Sequence, residues 1–352
     1  MPKLIIQIPC YNEEETLGET LSALPRSVPG FETVEWLIID DGSTDDTLSV
    51  AAKHGVDHIV THTHNRGLAT AFVSGVEACL KRGADVVVNT DADNQYYAGD
   101  IPRLTAPIAE GTADIVVGAR PISNIEHFSW LKKRLQHLGS WVVRVTSGTD
   151  IADAASGFRA ISRHAAQRII VYDEYTYTLE TIIQAGQSNL RIKSISIRIN
   201  GETRKSRLVK SIFSYVRRSA TTILKVFALY RPLRFFGIIS AVIIAAGLAI
   251  GIRFLYFYAL GDGDGHVQSL ILASILIIVG FQACLMALLA ELIASNRKLL
   301  EDLRYRQITT SLEEEGALSR LPQSPGKSAV STAHIGQART TPTGNHPNTI
   351  QS

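Results

Sequence analysis

The sequence predicts an α/β fold with a mostly parallel sheet, joined to a C-terminal membrane hairpin. Three observations predict it. Over residues 1–202, short apolar runs alternate with stretches of helical periodicity, the pattern of βαβ units. Acidic motifs stand directly after two of those runs, at Asp40-Asp41 and at Asp91-Ala92-Asp93, where open α/β sheets hold their ligands. Two long apolar runs then fall within residues 233–295.

Residues 3–8 read as a buried strand, and 12–24 as a helix with acids in its first turn. A second strand over 34–39 ends in the turn Asp40-Asp41-Gly42-Ser43, with a helix expected from Asp45. Residues 57–61 are strand-like, and Leu68, Phe72, Val76 and Leu80 recur at helical spacing across 67–81. The continuous apolar run 84–89 feeds Asp91, and 114–118 reads as a further strand. Beyond these, 127–145 reads as a basic helix, 153–160 as a loop, 177–185 as a helix and 190–198 as a strand.

No acidic side chain occurs in residues 203–234. Leu208, Ile212, Tyr215, Ser219 and Ile223 recur there at helical spacing, among Arg207, Lys210, Arg217 and Arg218. The segment 203–232 is therefore expected to lie as an amphipathic interface helix on an anionic membrane surface. Residues 235–252 are uncharged and close to the ~20 residues that span a bilayer. Arg253 can snorkel outward, and Phe254, Tyr256, Phe257 and Tyr258 suit the interface. A polar turn at 261–265 precedes the return, 270–289, whose most polar member is Gln282. Arg231 and Arg234 flank one end of the hairpin; Arg297, Lys298, Arg304 and Arg306 flank the other; the turn has neither Lys nor Arg. Positive-inside bias places both ends, and the α/β domain with them, in the cytoplasm. Residues 307–352, rich in Ser, Thr, Pro, Gly and Gln, are expected to be disordered.

A formal net charge of +2 gives no argument for a nucleic-acid partner. Cys10, Cys79 and Cys284 lie far apart and in no ligand spacing, so they read as free thiols in a reducing compartment. No basic region or cleavage site precedes Leu4-Ile5-Ile6, so no cleaved signal peptide is expected. Gly237, Gly247 and Gly251 permit close helix packing, which is compatible with a homo-oligomer.

The chemistry begins with Asp91 and Asp93. Carboxylates at i and i+2 in a tight turn after a strand can converge on one hard cation, and Gln95 adds a carbonyl oxygen. Mg²⁺ or Mn²⁺ held there would neutralise a departing diphosphate. Asp40 and Asp41 are placed to accept hydrogen bonds from a ribose or a base; the plainer reading is an Asx-turn with Asp45 capping the next helix. Arg66 and Gly67, at a helix start, suit a phosphate, as do Arg120, Arg134 and Arg159. His58, His62 and His64 share strand parity, and His54 lies nearby, but no Cys or carboxylate stands at metal-ligand spacing from them. Cys10 has no local base and reads as structural.

Four motifs occur in order: Ile8-Pro9-Cys10-Tyr11-Asn12-Glu13-Glu14, Asp40-Asp41-Gly42-Ser43-Thr44-Asp45, Asp91-Ala92-Asp93-Asn94-Gln95 and Ser156-Gly157-Phe158-Arg159. Together they resemble glycosyltransferase family 2, in the branch similar to dolichol-phosphate mannose synthase and bacterial polyprenyl-phosphate glycosyltransferases. The resemblance covers residues 3–207, and the apolar hairpin is similar to that of the two-helix members. It implies a GT-A (Rossmann-like) domain, a UDP- or GDP-linked sugar donor, a Mg²⁺ or Mn²⁺ cofactor and a dolichyl or undecaprenyl phosphate acceptor. It implies that Pro9, Tyr11, Glu13 and Asp41 line the nucleoside pocket, with Asp40, Arg66, Gly67, Asp91 and Ala92 also on the nucleotide-sugar. It assigns Asp91, Asp93 and Gln95 to the metal, Arg120 and Arg134 to the lipid phosphate, and Asp153 and Arg159 to the acceptor side. The chain departs from the family at Leu135-Gln136-His137-Leu138, where a small or charged pattern is common, and it lacks the Gln-x-x-Arg-Trp of processive synthases.

The implied reaction is one in-line displacement with inversion. A phosphate monoester is already largely ionised near neutral pH, with a second pKa of about 6, so no strong base is needed. Asp153 is expected to orient the acceptor. Three rivals are weaker. Haloacid dehalogenase-type phosphatases want Thr or Val where Gln95 stands, and dinucleotide oxidoreductases want a Gly-x-Gly-x-x-Gly after the first strand. A non-catalytic membrane scaffold would not need the intact acidic set.

Overall fold

Alternation of side chains along a strand sends neighbours to opposite faces, and β1 (Lys3–Cys10) uses both. Leu4, Ile6 and Ile8 enter one core, while Ile5 packs with Leu37, Ile39 and Val87 in another. The computed structural model describes residues 2–121, 144, 148–149, 151–169, 171, 177–200, 221, 224–225, 228–261 and 267–320. After β1 come α1 (Leu17–Ala23), β2 (Thr33–Asp40), α2 (Thr47–Lys53), β3 (His58–Thr61), α3 (Leu68–Lys81) and β4 (Val86–Asn89). Then follow α4 (Ile101–Ala109), β5 (Ile115–Ala119), β6 (Arg159–Ser162), α5 (Arg163–Arg168), α6 (Tyr177–Gln187) and β7 (Ile192–Ser196). Two long helices, α7 (Pro232–Ala259) and α8 (Val267–Arg320), complete the described elements.

The seven strands form one sheet in the order β3-β2-β1-β4-β6-β5-β7. Its pairings are parallel except those of β6, which runs antiparallel to β4 and β5. Register fixes the ligand edge: Cys10 pairs with Asp40, Gln7 with Asn89 and Asn89 with Arg159. The carboxyl ends of β1, β2, β4 and β5 and the start of β6 therefore meet at one edge.

Several expectations shift. The helix expected from residue 12 begins at Leu17. Asn12 has a φ of 53°, and the backbone N–H groups of Asn12, Glu13 and Glu14 donate to Ser43, Thr47 and Asp45 instead. The strand β6 opens at Arg159, inside a stretch read as loop, because Phe158, Ala160 and Ile161 are buried. Helix α4 escaped the periodicity reading, its pattern broken by Pro102 and Pro107. The expected helix over 127–145 and interface helix over 203–232 fall largely outside the described residues.

Both apolar runs are single helices with windows of mean hydropathy 2.5, of which only 11% and 17% is buried. They are long and apolar enough to cross a membrane. Gly247 of α7 lets α8 approach closely, since a Cβ there would sit 2.9 Å from Ile277 and 3.1 Å from the Ala273 carbonyl. Ser240 Oγ donates to the Gly280 carbonyl at 2.7 Å across the same contact. Gly247 thus serves packing within the chain.

The return helix does not stop near residue 289. It continues to Arg320, through 307–320, which composition had assigned to a disordered tail. At 54 residues α8 is about 80 Å long, against an apolar bilayer core of about 30 Å. Its later part meets the α/β domain: Arg304 pairs with Glu77 of α3 at 3.1 Å, and Arg168 of α5 lies 4.2 Å from the Tyr305 ring. These tertiary partners, with Leu312 packed against the cluster of Phe72, Val76 and Leu80 and i,i+4 pairs such as Arg306–Asp302, hold this part of the helix.

Candidate active site

The loops after β1 and β2 are laced together. Asn12 N donates to Ser43 Oγ at 3.0 Å, Thr44 N to Asn12 Oδ1 at 2.8 Å and Asp46 N to Glu14 Oε2 at 2.9 Å. Pro9 is buried in β1, Tyr11 is 42% exposed at the edge, and Glu13 accepts from Thr16 Oγ1 at 2.7 Å. Asp40 accepts from Ser43 N at 3.1 Å, the turn-forming role foreseen for it. Asp45 accepts from Thr47 N at the start of α2.

Asp41 is buried and accepts from three protein donors: His62 Nδ1 at 2.7 Å, Arg66 N at 2.9 Å and Gly67 N at 2.8 Å. A carboxylate offers about four lone-pair directions, and these three bonds tie Asp41 to the loop before α3. Arg66 keeps an exposed side chain beside that helix start. His62 Nε2 also meets Ser74 Oγ at 3.0 Å. The histidines do not converge on one face, because β3 ends at Thr61. His58 pairs with Glu35, His62 is buried on Asp41, and His64 contacts Thr63.

Asp91 and Asp93 follow β4. The turn is anchored by the Ala92 carbonyl, which accepts from Thr20 Oγ1 at 2.8 Å, and by Asn94, which donates to Glu19 at 2.9 Å. Burial raises the Asp91 carboxyl to about 6, and the Asp93 charge adds to the rise; Arg120, the Tyr96 hydroxyl and Arg159 oppose it. Asp93 accepts from Gln95 N at 3.1 Å. Gln95 is exposed, with its backbone carbonyl on Asn200 N at 2.9 Å. Among the described residues no third His, Cys, Asp or Glu joins the pair. Two carboxylates alone suit Mg²⁺ or Mn²⁺, which complete their shell with water and substrate phosphates. A desolvated carboxyl held against a neighbouring negative charge fits such a cation.

Two residues expected on the acceptor side are held by other protein groups. Arg120 and Asp153 form a fork, Nε to Oδ2 at 2.7 Å and Nη2 to Oδ1 at 3.1 Å, with Asp153 fully buried. Both Asp153 oxygens thus hold the Arg120 guanidinium. Arg159 is fully buried, donating to the carbonyls of Thr178 and Ser156 and to Thr181 Oγ1. Burial lowers its pKa, and its guanidinium is held by these protein oxygens. Arg134 lies outside the described residues.

Sequence reasoning gave no role to Asn89, Tyr96 and Tyr177, and named Gly157 only as part of a motif; Tyr96 and Gly157 lie against Asp91, and Asn89 holds the Gly157 carbonyl. The position of Asn89 at the end of a buried apolar strand and the Ser156-Gly157-Phe158-Arg159 motif were the only local signals. Cys10 and Cys79 are buried with raised thiol pKa values, consistent with structural roles.

Residues 5–170 match the family described as glycosyl transferase family 2. An uncharacterized glycosyltransferase of Mycobacterium tuberculosis is 32% identical over 194 residues, 54% of this chain and 83% of that protein. The chain belongs to glycosyl transferase family 2. Undecaprenyl-phosphate 4-deoxy-4-formamido-L-arabinose transferase of Enterobacter sp. is 28% identical over 325 residues, covering 86% of this family 2 chain and 91% of its own. Glucosyl-3-phosphoglycerate synthase from Mycobacterium tuberculosis, solved with Mn²⁺, uridine diphosphate and phosphoglyceric acid, superposes with a TM-score of 0.51 at 16% identity. The superposition covers 64% of this chain and 78% of that one, and shows that the glycosyltransferase has the expected GT-A fold.

Proposed function

We propose that this family 2 glycosyltransferase moves a sugar from a UDP- or GDP-sugar to a dolichyl or undecaprenyl phosphate at the cytoplasmic face of a membrane. One observation carries the reading: Asp91 and Asp93, in the turn after β4 at the ligand edge, share a chain with two membrane-length helices. The near full-length likeness to an undecaprenyl-phosphate sugar transferase supports it. Basic residues at the outer ends of α7 and α8 support the orientation.

Asp91 and Asp93 would hold Mg²⁺ or Mn²⁺, with Gln95 as a third contact. The bound ion would supply charge neutralisation for the leaving diphosphate. Pro9, Tyr11, Glu13 and Asp41, with Asp40, are assigned to the nucleoside side, and Arg66 with the Gly67 helix start to the phosphates. Arg120, fixed by Asp153, is assigned to the acceptor phosphate. An acceptor phosphate oxygen forms a bond to the anomeric carbon as the sugar–diphosphate bond breaks, inverting that centre. The acceptor is already ionised, so positioning supplies most of the rate. An Asp153 locked to Arg120 agrees with a mechanism that needs no strong base.

The test is a donor screen with purified protein, polyprenyl phosphate, Mg²⁺ or Mn²⁺ and a panel of UDP- and GDP-sugars. Asp91→Asn and Asp93→Asn should each abolish transfer. Full activity of either variant in EDTA would overturn the reading.

A further inference from the structure

The Asp91 carboxylate sits at the end of a hydrogen-bonded chain built from three separate parts of the sequence. The Tyr96 hydroxyl hydrogen-bonds its carboxylate and also accepts from Gly157 N at 3.2 Å. The Gly157 carbonyl accepts from Asn89 Nδ2 at 2.8 Å, and Asn89 Oδ1 accepts from Gln7 Nε2 at 2.9 Å. Gln7, Asn89 and Tyr96 are buried, the first two with no exposure at all. The Tyr96 ring stacks on Phe158 with centroids 5.0 Å apart. A polar chain thus runs from the centre of the sheet, through the backbone of Gly157, to the carboxylate.

Gly157 has a second, steric relation to Asp91. A Cβ at Gly157 would lie 3.0 Å from Asp91 Oδ1, 3.4 Å from Oδ2 and 3.2 Å from Tyr177 Oη. Any side chain there must push the carboxylate or the tyrosine aside by a few tenths of an ångström. Hydrogen bonds behind a metal-ligating carboxylate fix its orientation and hence its affinity.

We propose that Tyr96, Gly157 and Asn89 are positioning residues that aim the Asp91 carboxylate at the divalent ion. Through them the loop 156–159, which leads into the buried Arg159, is coupled to the metal. The proposal rests on the metal reading given above. It assigns the glycine of Ser156-Gly157-Phe158-Arg159 a steric role and Tyr96 a hydrogen-bonding one.

The experiment is a titration of Mn²⁺, followed by electron paramagnetic resonance, into full-length protein in detergent with UDP or GDP present and no sugar. Tyr96→Phe keeps the ring stack and removes only the hydroxyl; Gly157→Ala adds only the methyl group. Each should raise the Mn²⁺ dissociation constant roughly 10-fold or more. Tyr97→Phe, at an exposed neighbour resting on Arg198, should leave it unchanged. Melting in EDTA reports folding, and if Gly157→Ala melts early, Tyr96→Phe decides alone. Wild-type affinity in a folded Tyr96→Phe protein would overturn the proposal. Mn²⁺ binding that survives Asp91→Asn would instead overturn the metal reading beneath it.

Discussion

His62 and Asp41 meet across the ends of β3 and β2, Nδ1 to Oδ1 at 2.7 Å, both almost wholly buried. The pair ties the loop carrying Arg66 and Gly67 to the loop after β2. His62→Leu removes one of Asp41's donors and leaves Ser74 without its ring partner. Losing a charge-assisted bond of about 1.5–3 kcal/mol should raise the donor KM roughly tenfold or more. The turnover number should change much less, and steady-state kinetics with varied donor would show the split.

The Arg120–Asp153 fork gives a second expectation. Breaking a buried pair by removing one partner costs about 3–5 kcal/mol. Arg120→Ala should therefore lower the melting temperature clearly. Arg120→Ala with Asp153→Ala should cost less than the sum of the single changes, because no uncompensated buried charge remains. A double-mutant cycle on thermal unfolding measures this.

Asp91 yields a pH dependence. Its carboxyl is raised to about 6, above an unfolded value of about 3.9. The folded, metal-free protein then binds this proton more tightly than the unfolded chain. Stability contributed by the protonated form is present below about pH 4 and is lost as pH rises through about 6. The ion needs the ionised form, so Mn²⁺ affinity should fall as pH drops through about 6. Melting curves with EDTA and with Mn²⁺ across this range should diverge most near neutrality, and Asp91→Asn should remove the divergence.

The end of α8 provides a fourth expectation. Arg304–Glu77 is exposed, worth about 0–1 kcal/mol. Arg304→Glu should thus have little effect on global melting. Tyr305→Ala also removes the ring beneath Arg168 and beside His164. The two changes together should raise hydrogen exchange along 297–312 while leaving the sheet protected.

Continuous apolar runs and post-strand acids identified the β1, β2 and β4 units, because burial on both faces demands continuous apolar strands. Asp91 and Asp93 were legible from their place just after the buried strand Val86–Asn89, at the edge where open α/β sheets hold ligands. The spans were legible from length and hydropathy. Tertiary structure alone decided what surrounds those acids. Asn89, Tyr96 and Gly157 reach Asp91 through a register and a close approach that no local spacing encodes. Burial of Arg159 and pairing of Asp153 with Arg120 were equally invisible, since a charged residue in sequence carries no mark of its partner. The contacts of α8 beyond the apolar span, with Glu77 and Arg168, join residues far apart in the chain. By itself the sequence determined which strands end in acids and which segments suit a bilayer; only packing decided which of its charges could face a ligand.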